Sequence, residues 1–173
     1  MKLYFRLFWL LLTQRLRSRC DVMGPVDTTI RVYPSDLDIF MHVNNGVYLT
    51  YADLGRTDML LRSNTLGKLR KRGWYPVMAG ASVEFRKSLK FGQRVTVRTR
   101  VVGWDERSVF LQQTFLRKDR VVATVMVDAR FLSLQGARVS NEELLKLLGI
   151  DAPSPALPAE FALWLSARNA ARS

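Results

Sequence analysis

Residues 26–32 (Val-Asp-Thr-Thr-Ile-Arg-Val) alternate apolar and polar side chains and are rich in β-branched types, which predicts a half-buried strand. Residues 45–61 change period. Tyr48, Tyr51, Ala52, Gly55 and Met59 recur at helical spacing and share one face. Ala52 and Gly55 are small, so this helix can lie close to a sheet. Four strand patterns follow, over 75–87, 94–104, 107–118 and 121–134, punctuated by Gly92, Gly103 and the Lys118-Asp119 pair. One strand, one long helix and a four-strand meander predict an α+β unit, an antiparallel sheet wrapped around a single helix. Ser140-Asn141-Glu142-Glu143 is a capping box opening a short helix to Leu148. Pro153, Pro155 and Pro158 stiffen a connector over 151–158, and a last helix is predicted over 159–170. The expected organisation is an apolar-basic N-terminal helix (1–24), a central unit (25–150), and a proline-containing linker with a C-terminal helix (151–173).

Residues 3–12 are almost wholly apolar, broken by Arg6. Ten helical residues span about 15 Å, half of a bilayer core of about 30 Å, so the segment does not cross a membrane. Two readings are open. It lies on a membrane, with Phe5, Phe8 and Trp9 inserted and Arg15, Arg17 and Arg19 at the headgroups, or it packs on the protein's own body or a partner subunit. The expected location is cytoplasmic and, on the first of these readings, peripheral at the inner membrane surface through residues 1–20.

Composition narrows the chemistry. Within 173 residues there is one cysteine, Cys20, and one histidine, His42, which argues against a disulfide framework and an ordinary N/S zinc site. Neither a metal nor a cofactor is expected. The 27 basic residues outnumber the 15 acidic ones, for a net charge of +12. Such a field attracts phosphates. With no helix-turn-helix, zinc or RNA-recognition signature, nucleic acid is not the expected partner.

The densest polar cluster is Asp36-Leu37-Asp38-Ile39-Phe40-Met41-His42-Val43-Asn44-Asn45, between the first strand and the long helix. Asn44 or Asn45 can cap that helix, and its first free N–H groups then point out of the loop. A carbonyl oxygen there would be polarised, and a nearby carboxylate could attack it or activate water. These parts suit hydrolysis of an activated acyl group. Equally, Asp36 could only close a turn, the asparagines only cap, and His42 be structural.

The run R-V-x-P-S-D-L-D-x-x-x-H-V-N-N-x-x-Y, from Arg31 to Tyr48, resembles the hotdog-fold thioesterases of the 4-hydroxybenzoyl-CoA thioesterase type. More narrowly, the chain is similar to the branch called thioesterase superfamily member six. That similarity rests on Val97-Arg98-Thr99-Arg100 leading to Gly103-Trp104-Asp105-Glu106-Arg107, on Tyr48-Leu49 to Ala52-Asp53, and on Pro155-Ala156-Leu157-Pro158-Ala159 with Trp164. It covers roughly residues 28–170. The resemblance implies a hotdog subunit, a homodimer or dimer of dimers with active sites at the interface, and an acyl-CoA or other acyl thioester as substrate. It implies Asp38 as the catalytic carboxylate and a backbone N–H near Asn45 as the holder of the thioester carbonyl. His42, Asn44, Tyr48, Arg86 and Arg107 are the candidate substrate contacts. Where some relatives carry a basic run after the position of Trp104, this chain has Asp105-Glu106-Arg107, so Arg86, Lys87 and the 68–72 cluster are substitutes by charge. A hydratase is disfavoured by the spacing of Asp38 and His42. The alternative to an enzyme is a non-catalytic acyl- or lipid-binding protein at a membrane surface.

Overall fold

The computed structural model describes residues 2–13 and 16–171. Arg15 and the side chain of Trp9, both expected at a membrane, lie outside the described residues. The chain runs α1 (Lys2–Thr13), β1 (Val26–Arg31), a 3-10 turn (Pro34–Asp36), α2 (Asn45–Arg62), α3 (Thr65–Lys71), β2 (Trp74–Phe85), β3 (Arg94–Trp104), β4 (Val109–Arg117), β5 (Arg120–Ser133), α4 (Asn141–Leu148) and α5 (Ala159–Ala170). All five strands form one antiparallel sheet in the order β1-β3-β4-β5-β2.

The sheet wraps α2. Val95 and Val97 of β3, Phe115 of β4 and Val125 and Val127 of β5 point inward and are fully buried, against Tyr48, Tyr51 and Ala52 of α2. Gly55 sets the closeness of approach. A Cβ there would sit 2.9 Å from Thr99 Oγ1 and 3.0 Å from Val97 Cγ1, on rigid β-branched side chains. The buried Gln113 amide fills the seam, donating to the Ala52 carbonyl at 2.7 Å and to Thr99 Oγ1 at 2.9 Å.

Three expectations need correction. The four late strands are not a simple meander: only β3, β4 and β5 are sequential neighbours, and β2 pairs with β5 at the opposite edge. The chain therefore crosses the end of the sheet between β2 and β3, burying Leu89 completely on the way. The third candidate strand begins at Val109 rather than 107, because Asp105 Oδ1 accepts from the N–H groups of Arg107 and Ser108 and closes a turn. The helix α3 was not foreseen. Asn64 takes a left-handed conformation (φ +58°) that ends α2, and the chain resumes as a second, short helix.

Each terminal segment is fastened by an arginine to a buried aspartate. Arg6 of α1 donates to Asp36 at 2.6 Å, and its guanidinium lies 5.2 Å and 5.0 Å from the ring centroids of Tyr33 and Tyr51. Arg17, after α1, reaches Asp58 of α2 at 3.1 Å. Arg168 of α5 reaches Asp128 of β5 at 2.5 Å, in space left by Gly80 at the bulge in β2. Thus α1 packs on the protein's own body through Arg6 and the buried Leu10, while Phe5, Phe8, Leu11 and Leu12 stay exposed. Phe161 of α5 is fully buried against Phe110 and Val102, so α5 covers part of the sheet's other face.

Two stability tests follow from this packing. Gly55→Val lowers unfolding free energy by about 2 kcal/mol or more in chemical denaturation, as overpacking does. Gly55→Ala loses less, because alanine returns about 1 kcal/mol of helix propensity. Arg6→Met strands the Asp36 carboxylate, so α1 undocks instead: amide exchange within residues 7–13 accelerates by about tenfold or more, while exchange in β5 is unaffected.

Candidate active site

The site is built where the crossing segment 86–93 passes the N-terminus of α2. The loop from β1 is sewn to that segment: Val43 N–H donates to the Leu89 carbonyl at 2.8 Å, and His42 forms a bridge with Lys90. At the loop's start Asp36 is 3 % exposed and held through one carboxylate oxygen, Oδ2. It accepts from Arg6, from the Tyr33 N–H at 2.8 Å and from the Tyr51 hydroxyl at 2.8 Å, and its carbonyl accepts from Asn44 N–H. Burial and then the Asp36 carboxylate push the Tyr51 phenol well above its ordinary pKa, so it stays a donor. Asp36 is a structural anchor.

Asp38, two residues on, is half-buried and differently placed. Its N–H donates to the His42 carbonyl at 2.8 Å, closing a tight loop in which Met41 is left-handed (φ +59°). One carboxylate oxygen, Oδ1, accepts from Phe40 N–H at 2.9 Å and His42 N–H at 3.2 Å. The other, Oδ2, has no hydrogen bond to any described residue. Asp38 and His42 line a cavity of ≈ 240 Å³ together with Asn45, Tyr48, Phe85, Arg86, Lys87 and Ser88.

Asn44 is the cap. Its side-chain Oδ1 accepts from Gly46 N–H at 2.9 Å and its carbonyl accepts from Val47 N–H at 2.9 Å. The Asn45 N–H, the first of the helix, has no acceptor among the described residues. It carries the positive end of the α2 dipole at the cavity wall. Tyr48 is 2 % exposed, edge-on to Phe85 with ring centroids 5.0 Å apart. Burial raises its phenol pKa, partly offset by a backbone hydrogen bond at Leu89, so the hydroxyl is neutral near pH 7.

Of the seven residues singled out from the sequence, Asp38, His42, Asn45, Tyr48 and Arg86 thus share one cavity. Asn44 borders it as a cap. Arg107 is not brought there by its own chain: it sits in the β3–β4 turn, and the strand registers put that turn at the opposite end of the sheet from residues 85–88. The basic 68–72 cluster is also remote, in and beside α3, where Lys68 Nζ donates to the Leu148 carbonyl. Ser88 and Leu89 were not legible as site-builders. Their part depends on the crossing, which no local pattern encodes. Among the described residues no cluster of three or more His, Cys, Asp or Glu side chains could hold a metal.

A second cavity of ≈ 160 Å³ lies between α2, the sheet and α4, with Met59, Leu60, Met78, Leu111, Leu144 and Leu148 in its largely apolar wall. Met78 lines this cavity, and Phe85 lines the one with Asp38. Trp74 instead packs with Leu69 and Phe131 in a smaller core.

Comparison with known proteins gives the family and the fold. The family model described as the thioesterase-like superfamily matches residues 32–165. Protein THEM6 of Xenopus laevis is 30% identical over 135 residues, covering 78% of this chain and 64% of its own length. The chain thus spans just under two thirds of that relative. Among solved structures, YbaW, a probable thioesterase from Escherichia coli, superposes with a TM-score of 0.67 at 23% identity over 71% of this chain and 96% of its own. Slr0204, a 1,4-dihydroxy-2-naphthoyl-CoA thioesterase from Synechocystis, gives 0.63 at 13% identity over 74% and 97%. The two structures share the hotdog fold with this chain.

Proposed function

The chain belongs to the thioesterase-like superfamily, and from that premise we propose that it hydrolyses an acyl-CoA thioester to the free acid and CoA at the Asp38 cavity. The observation that carries this reading is the pairing of an oriented carboxylate with an unclaimed helix N–H. Asp38 is held by two backbone N–H groups on Oδ1, which leaves Oδ2 as the reacting oxygen. The thioester carbonyl oxygen accepts from Asn45 N–H, and the charge that develops on it is stabilised by that donor and by the dipole of α2. Oδ2 either attacks the carbonyl carbon or takes a proton from a water that attacks it. In either route the C–S bond breaks and the thiol leaves carrying a proton; by the water route the acid keeps water's oxygen, and by the nucleophilic route water cleaves the Asp38–acyl anhydride at the Asp38 carboxyl carbon, so that water's oxygen stays in Asp38 and the former Oδ2 leaves in the acid. Tyr48 and His42 line the same wall, and the neutral Tyr48 phenol is a donor toward the substrate.

A homodimer completes this reading. The edge strand β2 has no charged residue from Trp74 to Val83, and Tyr75 and Met78 are 38 % and 50 % exposed. A long apolar edge of this kind is ordinarily covered, and two copies pairing through it give an isologous two-fold interface.

A second reading has its own observation. Arg6 and Leu10 face the body, which turns the other side of α1 outward, with Phe5, Phe8 and Leu12 each more than 60 % exposed. Among the described residues no helix is long and apolar enough to cross a membrane. An acyl- or lipid-binding protein seated on an anionic bilayer through α1 would use this surface without hydrolysis.

The deciding measurement is thiol release from acyl-CoAs of graded chain length. Asp38→Asn keeps Oδ1 as an acceptor for Phe40 and His42, so the loop holds, yet kcat falls by about a thousandfold. Hydrolysis by Asp38→Asn at the wild-type rate would sink the assignment. Incorporation of 18O from solvent into Asp38 during turnover identifies the nucleophilic route. For the second reading, sedimentation with phosphatidylserine vesicles is the test. Phe8→Glu with Leu12→Glu weakens binding about tenfold or more, as loss of a buried aromatic and a leucine requires, and equally negligible binding by both proteins removes it.

A further inference from the structure

A groove between α1 and β1 lies apart from the Asp38 cavity and shares no lining residue with it. Its volume is ≈ 430 Å³, within the range of about 300–1,000 Å³ that takes a small ligand. Its depth is apolar: Leu10, Ile30 and Leu54 line it and are each at most 7 % exposed. Phe5 stands at its lip, 70 % exposed. Phe8 and Leu12 continue from Phe5 at helical spacing and are exposed as well. The groove therefore opens onto the outward apolar side of α1.

Its rim is cationic. Arg6, Arg17 and Arg31 line the groove, and no acid does. Arg6 is committed to Asp36. Arg17 shares Asp58 with Arg62, so two guanidinium groups face one carboxylate. Arg31 is exposed and has no carboxylate within salt-bridge distance among the described residues. It stands opposite Arg94 in the β1–β3 register, and Arg94 has none either. Like charges directly opposite one another weaken a strand pair, so the fold gains nothing from this arrangement. The open edge of β1 adds neutral donors. Just past β1, the Val32 N–H donates to the Gln93 carbonyl at 2.9 Å, so by alternation the backbone groups of Thr29 and Arg31 turn away from β3. Arg6 donates to the Arg31 carbonyl at 3.3 Å. The Thr29 and Arg31 N–H groups have no acceptor among the described residues. Excess positive charge and free donors beside an apolar trough are complementary to an anion that carries an acyl chain.

We propose that this groove holds one acyl chain of an anionic phospholipid, with the phosphate at Arg31, Arg17 and the free N–H groups of the β1 edge. The proposal deepens the second reading above and rests on α1 lying at a bilayer. Continuity selects a phospholipid. Phe5 joins the groove to the side of α1 that this reading seats among lipid tails, so a neighbouring tail enters without crossing water, and the arginines then lie at headgroup level. An acidic extended peptide would pair with the same edge and leave the apolar depth unfilled. Arg6 belongs both to the groove wall and to the Asp36 anchor, so a lipid seated here also orients the Asp38 loop toward the bilayer.

The probe is dihexanoyl-phosphatidylserine, kept below its micelle concentration and titrated into the full chain by calorimetry. Wild type binds a single molecule per chain, and dihexanoyl-phosphatidylcholine, with no net headgroup charge, binds about tenfold more weakly. Glycerophosphoserine, which lacks the acyl chains, shows no saturation. Arg31→Glu weakens phosphatidylserine binding by about tenfold or more. Its thermal midpoint holds or rises, because the new carboxylate faces Arg94, a pair of readouts that loss of fold would not give. Arg31→Lys keeps most of the binding. Absence of saturable binding by wild type, or binding indifferent to Arg31→Glu, overturns the groove assignment. Sedimentation with phosphatidylserine vesicles that persists in that case leaves the seat through α1 standing. Soluble lipid bound by a chain that ignores those vesicles removes the bilayer seat and supports the groove alone. Decanoate bound as tightly as the phospholipid, or displacement of the phospholipid by poly-glutamate, overturns the choice of ligand.

Discussion

The placement of β2 at the edge beyond β5 is the constraint from which the site follows. Because β3 lies on the other side of the sheet, beside β1, the chain leaving β2 must cross the sheet's end before it can pair again. It crosses against the N-terminus of α2 and is sealed by Leu89. The backbone groups it exposes there have to be satisfied. The Leu89 carbonyl takes the Val43 N–H, and the Gly92 N–H and Gln93 carbonyl pair with Val32. The loop carrying Asp38 is consequently clamped on both sides, to the crossing segment and to the first turn of α2. A short run of irregular chain is thereby held in one conformation, with Asp38 fixed at the cavity wall.

Buried arginine–aspartate pairs are poor sources of net stability, since desolvation of both charges offsets much of their attraction. They do specify where a segment goes. Asp36, Asp58 and Asp128 are each at most 3 % exposed, and each is matched by an arginine from a segment outside the sheet-and-helix body. Asp58 shows the logic best. It accepts from Arg17, Arg62 and the Thr28 hydroxyl together, so the chain between α1 and β1 has one low-energy course over α2. The terminal helices are thus positioned by charge, with apolar contacts from Leu10 and Phe161 added.

Much of this was legible in the residues, and the gaps have physical causes. The 26–32 alternation, the small residues Ala52 and Gly55 on one face of α2, and the Ser140–Glu143 capping box are local patterns, and each appears as an element or a contact of the kind expected. The polar loop of Asp36 to Asn45 was visible because such a run is atypical of a connector. Strand order was not visible, because hydrogen-bond partners between strands leave no trace in alternation. The crossing of 86–93 and the distance of Arg107 from Asp38 both depend on that order. The short helix α3 was masked by its composition. Lys68, Arg70, Lys71 and Arg72 read first as a charge cluster, although Lys68, Arg70 and Lys71 form the last turn of α3, where cations favour the C-terminal end of the dipole.

Asp36 and Asp38 show how two like groups two residues apart come to differ. Asp36 enters a 3-10 turn that carries its side chain inward, where a guanidinium, a phenol and a backbone N–H all donate to Oδ2. The three bonds converge on that one oxygen, and Asp36 is not among the residues that line the cavity with Asp38. Leu37 then pairs with Val43, and the chain turns over, so that Asp38 faces the cavity with one oxygen tethered and one open. The division of labour is set by the extended backbone at Leu37, which separates a residue that holds the loop from a residue that the loop presents. Exchanging the environments would require moving α1, since Arg6 is what makes Asp36 tolerable in the interior. The terminal helix and the loop that presents Asp38 are in this way parts of one arrangement, linked through the buried Arg6–Asp36 pair.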